Sequence, residues 1–154
     1  MKSRMITLPE AINEIISSCE VCNVGMVDQE NLPYTLPFNF GYENKTVYLH
    51  SAPVGRKIEI LKQKPDVCIT FSTAHELYKQ SEKVACSYGM RYKSVLVQGK
   101  VEFVEDFDEK VRILNIIMKQ YTKRDNFEYS KPSVINVAVM KVVAEKIEAK
   151  AFGY

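Results

Sequence analysis

Tryptophan is absent from the 154 residues, and histidine occurs only twice, as His50 and His75. Neither histidine has a spacing that links it to a serine or cysteine nucleophile. The chain contains no G-x-S-x-G, no G-x-x-x-x-G-K-[ST] and no G-x-G-x-x-G. These absences exclude the motif-bearing hydrolases, phosphate-loop nucleotidases and classical dinucleotide-binding sheets. An enzyme so poor in catalytic side chains often borrows its reactivity from a cofactor. No apolar run reaches the ~18 residues that a membrane-spanning helix requires. The N-terminal Met1-Lys2-Ser3-Arg4-Met5 starts basic but meets Pro9, Glu10 and Glu14 instead of a secretory apolar region. A cytoplasmic location, with no membrane contact, is therefore expected.

Charge of one sign is lacking too. The net charge is +2, with both signs scattered along the chain. Nucleic-acid binders concentrate lysine and arginine on one face, so that class is not expected. One phosphate pocket remains compatible, because it needs only two or three well-placed cations. Of the four cysteines, Cys19 and Cys22 have C-x-x-C spacing, but no second pair completes a zinc set. The pair falls in a helix-to-strand turn, not the strand-to-helix turn of thioredoxin-like motifs. Buried, reduced thiols are the reading, with redox sensitivity as the main alternative, metal binding ranked last and no metal site assigned.

What remains is a chain for a single domain, residues 1–154, with 46% hydrophobic residues and a core to match. Leu8 to Ser18 reads as an amphipathic helix capped by Thr7, with Leu8, Ile12, Ile15, Ile16 and Cys19 on one face. Val21 to Val27, Tyr34 to Tyr42 and Thr46 to Ser51 read as strands. A short helix from Arg56 to Lys64 stops before Pro65. Val67 to Phe71 is a fourth strand. Ser72 to Tyr92 reads as a loop or excursion, with a possible strand at Val84 to Tyr88. Ser94 to Val104 is a strand, and Asp106 to Arg124 is the clearest helix. Phe107, Val111, Leu114, Met118 and Tyr121 form its apolar stripe, and Asp106 caps it. Asn126 to Ser133 is a loop, and Val134 to Ile147 is the last strand. About six antiparallel strands with appended helices predict a mainly β fold, an antiparallel barrel.

Three segments hold candidate chemistry. In His50-Ser51-Ala-Pro-Val-Gly55-Arg56-Lys57 a strand gives way to a helix start. Free N–H groups, the Ser51 hydroxyl and two cations suit a terminal phosphate. A solvated basic face is the plainer alternative. Basic residues there oppose the helix dipole, so an anion would offset a local electrostatic cost. In Pro33-Tyr34-Thr35-Leu36-Pro37-Phe38-Asn39-Phe40-Gly41-Tyr42, Pro37 indicates a sheet edge or a bulge. A broken ladder frees backbone groups for a ligand, and Asn39 is the residue least easily explained as core. Ala85 to Val95 combines tyrosines, cations and serines, which suit either a binding rim or ordinary surface.

In this order, Pro33-Tyr-x-x-Pro37-Phe-Asn39-Phe-Gly-Tyr42, Tyr48-x-His50-Ser51-Ala-x-x-Gly55-Arg56-Lys57 and Ala85-Cys86-Ser-Tyr-Gly-Met-Arg91-Tyr92-x-Ser94-Val95 resemble the pyridoxamine 5′-phosphate oxidase-related flavoproteins, in their nitroimidazole-resistance-type branch. The likeness runs from about residue 8 to about residue 150. It implies a split β-barrel, a two-fold homodimer and flavin mononucleotide (FMN) held at the dimer interface. The residues implied to contact FMN are Thr35, Leu36, Pro37, Phe38, Asn39 and Phe40 along the ring, His50 and Ser51 near the ribityl tail, Arg56 and Lys57 at the phosphate, and Ser94 on a neighbouring strand. His50 is the candidate proton donor or substrate contact, with Tyr92 as the alternative donor. The implied activity is reduction of a nitroaromatic- or quinone-like acceptor, with NAD(P)H as a possible donor. The alternatives are a non-catalytic flavin-binding redox sensor or carrier, and a haem-binding split barrel using His50 or His75. The tail, Phe152-Gly-Tyr154, does not match the substrate-binding end of true pyridoxamine phosphate oxidases, so pyridoxal phosphate synthesis is not expected.

Overall fold

From Cys22 to Val27 every second side chain points inward: Cys22, Val24 and Met26 are buried, while Asn23 and Val27 are exposed. This two-residue rhythm sets the architecture, because a sheet with one buried face curls around its apolar side. The computed structural model describes all residues, 1–154. In chain order the elements are β1 (Ser3–Met5), α1 (Pro9–Ser17), β2 (Cys22–Val27), β3 (Pro33–Phe38), β4 (Phe40–Glu43), β5 (Thr46–Ser51), α2 (Arg56–Gln63), β6 (Asp66–Lys79), β7 (Tyr88–Val104), α3 (Phe107–Thr122), α4 (Lys131–Ile135) and β8 (Ala138–Phe152). No helix is long and apolar enough to cross a membrane.

All strand pairs are antiparallel, and they form one sheet in the order β3-β2-β6-β7-β8-β5-β4, with β1 added to β8. The path is not closed: β3 and β4 lie at its two ends although only Asn39 separates them in sequence. The mainly β, split-barrel expectation holds, with eight strands in place of about six. The core fills the inside of the curl. Phe40 and Phe71 meet there edge to face at 4.9 Å, among Ile16, Leu49, Leu61, Ile69 and Met140. A second, smaller core lies where Ile113 and Ile117 of α3 pack on Tyr48, Val104 and Val139.

Several elements depart from the sequence reading, each for a local reason. The stretch expected to be loop after Phe71 is strand to Lys79. Its faces are mostly solvent-exposed, so no hydrophobic rhythm announces it. It pairs with β7 across a register shift between Thr73 and Glu76, where Ala74 takes a left-handed φ of 55°. The possible strand at Val84 to Tyr88 is a 3-10 turn at Ala85–Ser87, closed by the Ser87 hydroxyl on the Val84 and Ser81 carbonyls. The last strand starts at Ala138, and Lys131–Ile135 is a helix, capped by Ser130 with Pro132 in its first turn. Leu8, not Thr7, is the N-cap of α1; it offers no side-chain cap and is exposed.

The helix expected from Asp106 is α3, and the Asp106 carboxylate accepts from the Glu109 N–H at 2.9 Å as anticipated. Its buried face is turned from the expected stripe. Ile113, Ile117 and the stem of Lys110 are buried, whereas Phe107 and Tyr121 are exposed. Lys110 is tolerated because its ammonium donates to the Val137 carbonyl at 3.0 Å, with Val134 O at 3.5 Å. Helix α3 lies so close on β4 that a methyl group at Gly41 would come within 2.9 Å of Ile116 Cγ2 and 3.0 Å of the Ile117 nitrogen. Substituting Gly41→Ala should therefore destabilise the fold by about 1–3 kcal/mol, measured by urea unfolding, since overpacking forces backbone to shift.

Candidate functional site

The open seam of the sheet positions the site. One lip is β3, whose outer edge has no strand neighbour. The other is the end of β5 with the start of α2. Leu36, Pro37, Phe38 and Asn39 on the first lip and His50, Ser51 and Lys57 on the second line a recess of about 310 Å³. Pro37 pairs with Asn23 on this edge strand, the kind of position where a residue without an N–H is tolerated. A larger recess of about 500 Å³, between β1, α1 and the kinked part of β6, holds none of the expected site residues.

The break at Asn39 is held by a distant side chain. The Tyr121 hydroxyl accepts from the Phe40 N–H at 3.0 Å and donates to the Glu20 carbonyl at 2.9 Å. Beside it, Gln120 donates to the carbonyls of Ser17 and Cys19 at 3.0 and 3.1 Å. The end of α3 thus ties the first lip to the end of α1. The Phe40 N–H would otherwise be an unpaired donor next to the core.

On the second lip, Gly55 precedes α2 with φ 122°, a conformation that suits glycine, and nothing lies within 4 Å of where its Cβ would be. The first N–H groups of α2 have no intrahelical acceptor. The Ser51 hydroxyl is engaged with the Ala52 carbonyl at 2.8 Å. The Lys57 ammonium lies 6.0 Å from the centre of the Phe38 ring, and no carboxylate pairs with it. Desolvation lowers the pKa of His50, so its imidazole is neutral at pH 7.

Seven of the eleven residues marked in the sequence meet at this recess, and four do not. Thr35 lies on the opposite face of β3, by Gly25, Cys68 and Gln98. Phe40 is fully buried in the core. Ser94 is buried on β7 across from Ser72, and its hydroxyl has no partner within the chain. Arg56 turns away: it meets Asp28 at 3.3 Å and stacks 4.3 Å above the Tyr34 ring. The sequence carried no sign of this use of Asp28, Tyr34 and Tyr121, because their partners lie far along the chain. Cys19 and Cys22 are buried, as read from the sequence, and burial pushes the Cys22 thiol up to about 12. His75, the other histidine, faces solvent with its Nε2 2.8 Å from the Ser72 hydroxyl.

A split antiparallel barrel with an anion-favouring helix start at its seam defines the class. Residues 9–151 match the family model described as pyridoxamine 5′-phosphate oxidase. The chain belongs to that family. A crystal structure of a Bacteroides thetaiotaomicron protein, provisionally named a 5-nitroimidazole antibiotic resistance protein, is 48% identical with a TM-score of 0.87, covering 98% of this chain and 88% of that one. The present chain falls in the branch that includes this relative. The flavocytochrome Anf3 from Azotobacter vinelandii is 20% identical with a TM-score of 0.80, covering 99% of this chain and 70% of its own. A FAD and haem binding protein from Mycobacterium smegmatis is 12% identical with a TM-score of 0.84, covering 97% and 74%. At these identities the last two share the fold. Comparison with curated proteins gave no match.

The neutral state of His50 links stability to pH. Unfolding returns it to its ordinary value of 6.5, so the unfolded chain binds the proton first as pH falls. The folded state should lose stability as pH drops below about 6.5. His50→Asn should flatten that part of the profile in thermal melts between about pH 7 and 5.

Proposed function

We propose that the protein binds FMN at the seam recess and uses it to reduce small molecules. The observation that carries this reading is the pairing of an unpartnered strand edge with a cationic helix start across one recess. A flat ring with hydrogen-bonding edges suits the first lip, and a dianionic tail suits the second. The chemistry that FMN supplies when bound is two-electron transfer, from a hydride donor such as NADH or NADPH to a nitroaromatic- or quinone-like acceptor.

The chain's own residues bind and orient. Lys57 and the free N–H groups of α2 would hold the phosphate, with Ser51 beside them. The backbone from Leu36 to Asn39 would run along the ring. His50, neutral at pH 7, would offer a ring N–H as a hydrogen-bond donor, not a charged acid. Thr35, Phe40 and Arg56 lie outside the recess, so any direct role of theirs requires a different arrangement.

We further propose a homodimer. The β6–β7 hairpin carries exposed Leu77, Tyr88 and Met90, and the edge of β3 is open. The buried, unpartnered Ser94 hydroxyl lies away from the recess, so a contact between Ser94 and FMN would come from a second copy. The recess's one imidazole, His50, is neutral and not a charged acid, which favours a second reading, a flavin-binding redox carrier or sensor.

The purified protein should show the visible absorption of bound flavin, and NADH or NADPH should bleach it. Colourless protein with no FMN affinity overturns the reading, and stable flavin that no acceptor reoxidises supports the carrier instead. Lys57→Ala should weaken FMN binding about tenfold or more, with unfolding free energy changed by less than about 0.5 kcal/mol. Light scattering at micromolar concentration should give twice the mass of one chain, 17.7 kDa.

A further inference from the structure

Arg56 and Lys57 are adjacent cations in the first turn of α2, where the helix dipole disfavours positive charge. Only Lys57 faces the recess. The guanidinium of Arg56 is instead held at two points: its Nη2 meets Asp28 Oδ2 at 3.3 Å, and its carbon lies 4.3 Å above the Tyr34 ring. Asp28 cannot follow it elsewhere. Its Oδ1 accepts from the backbone N–H groups of Glu30 and Leu32, both at 2.9 Å, which closes the turn between β2 and β3. The Asp28 side chain is 10% exposed, whereas that of Arg56 is 59% exposed. The carboxylate is fixed by the turn, and the arginine is the solvent-exposed member of the pair.

We propose that Asp28 is a built-in stand-in for the phosphate of the ligand: it neutralises Arg56 while the recess is empty and yields it when the dianion binds. This rests on the FMN reading of the recess and adds a control on cofactor affinity. A monoanion held by one 3.3 Å contact leaves most of the donors of the guanidinium fork unused. A phosphate can take two of them in parallel. The exchange opposes binding, because each FMN must displace the carboxylate. In return the flavin-free protein does not carry two uncompensated cations at a helix start. Occupancy at the seam is thereby coupled to the β2–β3 turn, through a pair whose members lie 28 residues apart.

Asp28→Asn separates these roles, because the amide keeps the Oδ1 acceptor that closes the turn and loses the charge that holds Arg56. Exchange requires opposite responses from one substitution. FMN should bind about threefold tighter or more, riboflavin (which has no phosphate) should change by less than about twofold, and the flavin-free protein should melt a few degrees lower. In an Arg56→Gln background the same change should alter FMN affinity by less than about twofold. In the wild-type protein, the Arg56 Nε–H and Tyr34 ring resonances should shift with FMN and not with riboflavin, a readout that needs no variant to fold. Weakened or unchanged FMN binding in Asp28→Asn, or unmoved Arg56 and Tyr34 signals, overturns the exchange if the wild type still prefers FMN over riboflavin. A wild type that binds both alike, or neither, overturns the phosphate corner and this inference with it.

Discussion

Where the sheet stays open, a single phenol holds the backbone of the crossing. Strand β3 ends at Phe38 and β4 begins at Phe40, yet the two occupy opposite ends of the sheet. The chain can change sides only if the backbone at the crossing finds partners outside the ladder. Tyr121 provides them, accepting from the Phe40 N–H and donating to the Glu20 carbonyl. A buried N–H left unpaired costs about 1–3 kcal/mol, so the crossing and the packing of α3 are mutually dependent. The recess exists because of that crossing: its two walls are the lips that the sheet does not join.

The electrostatics follow from where the helices start. Helix α2 begins at the mouth of the recess with two cations, an arrangement unfavourable for the helix alone. The protein divides them, with one facing the recess and the other lodged between an aromatic ring and a fixed carboxylate. Around them the site is lean in acid–base groups: the one histidine is uncharged, and both C-x-x-C thiols are buried, with pKa values raised by desolvation. In the proposed function these residues bind and orient, in keeping with the absence of nucleophile motifs from the sequence.

Much of this was legible in advance, and the failures have a pattern. Strands with one buried face were found, because period-two alternation requires a core on one side: Cys22, Val24 and Met26 are the clear case. The outer half of β6 and the start of β7 were missed because both sides meet solvent. The stripe on α3 was misplaced because apolar spacing alone does not show that Lys110 is buried; its carbonyl partners at Val134 and Val137 cannot be read from local spacing. Within the site, residues contiguous in sequence, Leu36 to Asn39 and His50 to Ser51, were found together. Arg56 was assigned by its neighbourhood, but its direction was set by Asp28, to which the sequence reading gave no role. Local chemistry can be read along a chain; which of two adjacent cations faces a cavity depends on a third residue that the fold brings in.

Strand β8 has a role that its order in the chain makes consequential. It pairs with β7 along nearly its whole length, with β5 over its first part and with β1 over its last residues, so it is the strip to which three others are joined. It is also the last of them to be made. During synthesis β5 and β7 leave the ribosome with their β8-facing edges open, and they stay so until residues 138–152 have emerged. The growing chain therefore exposes the kind of unpaired edge that templates aggregation, for the whole time that α3 and α4 take to be translated.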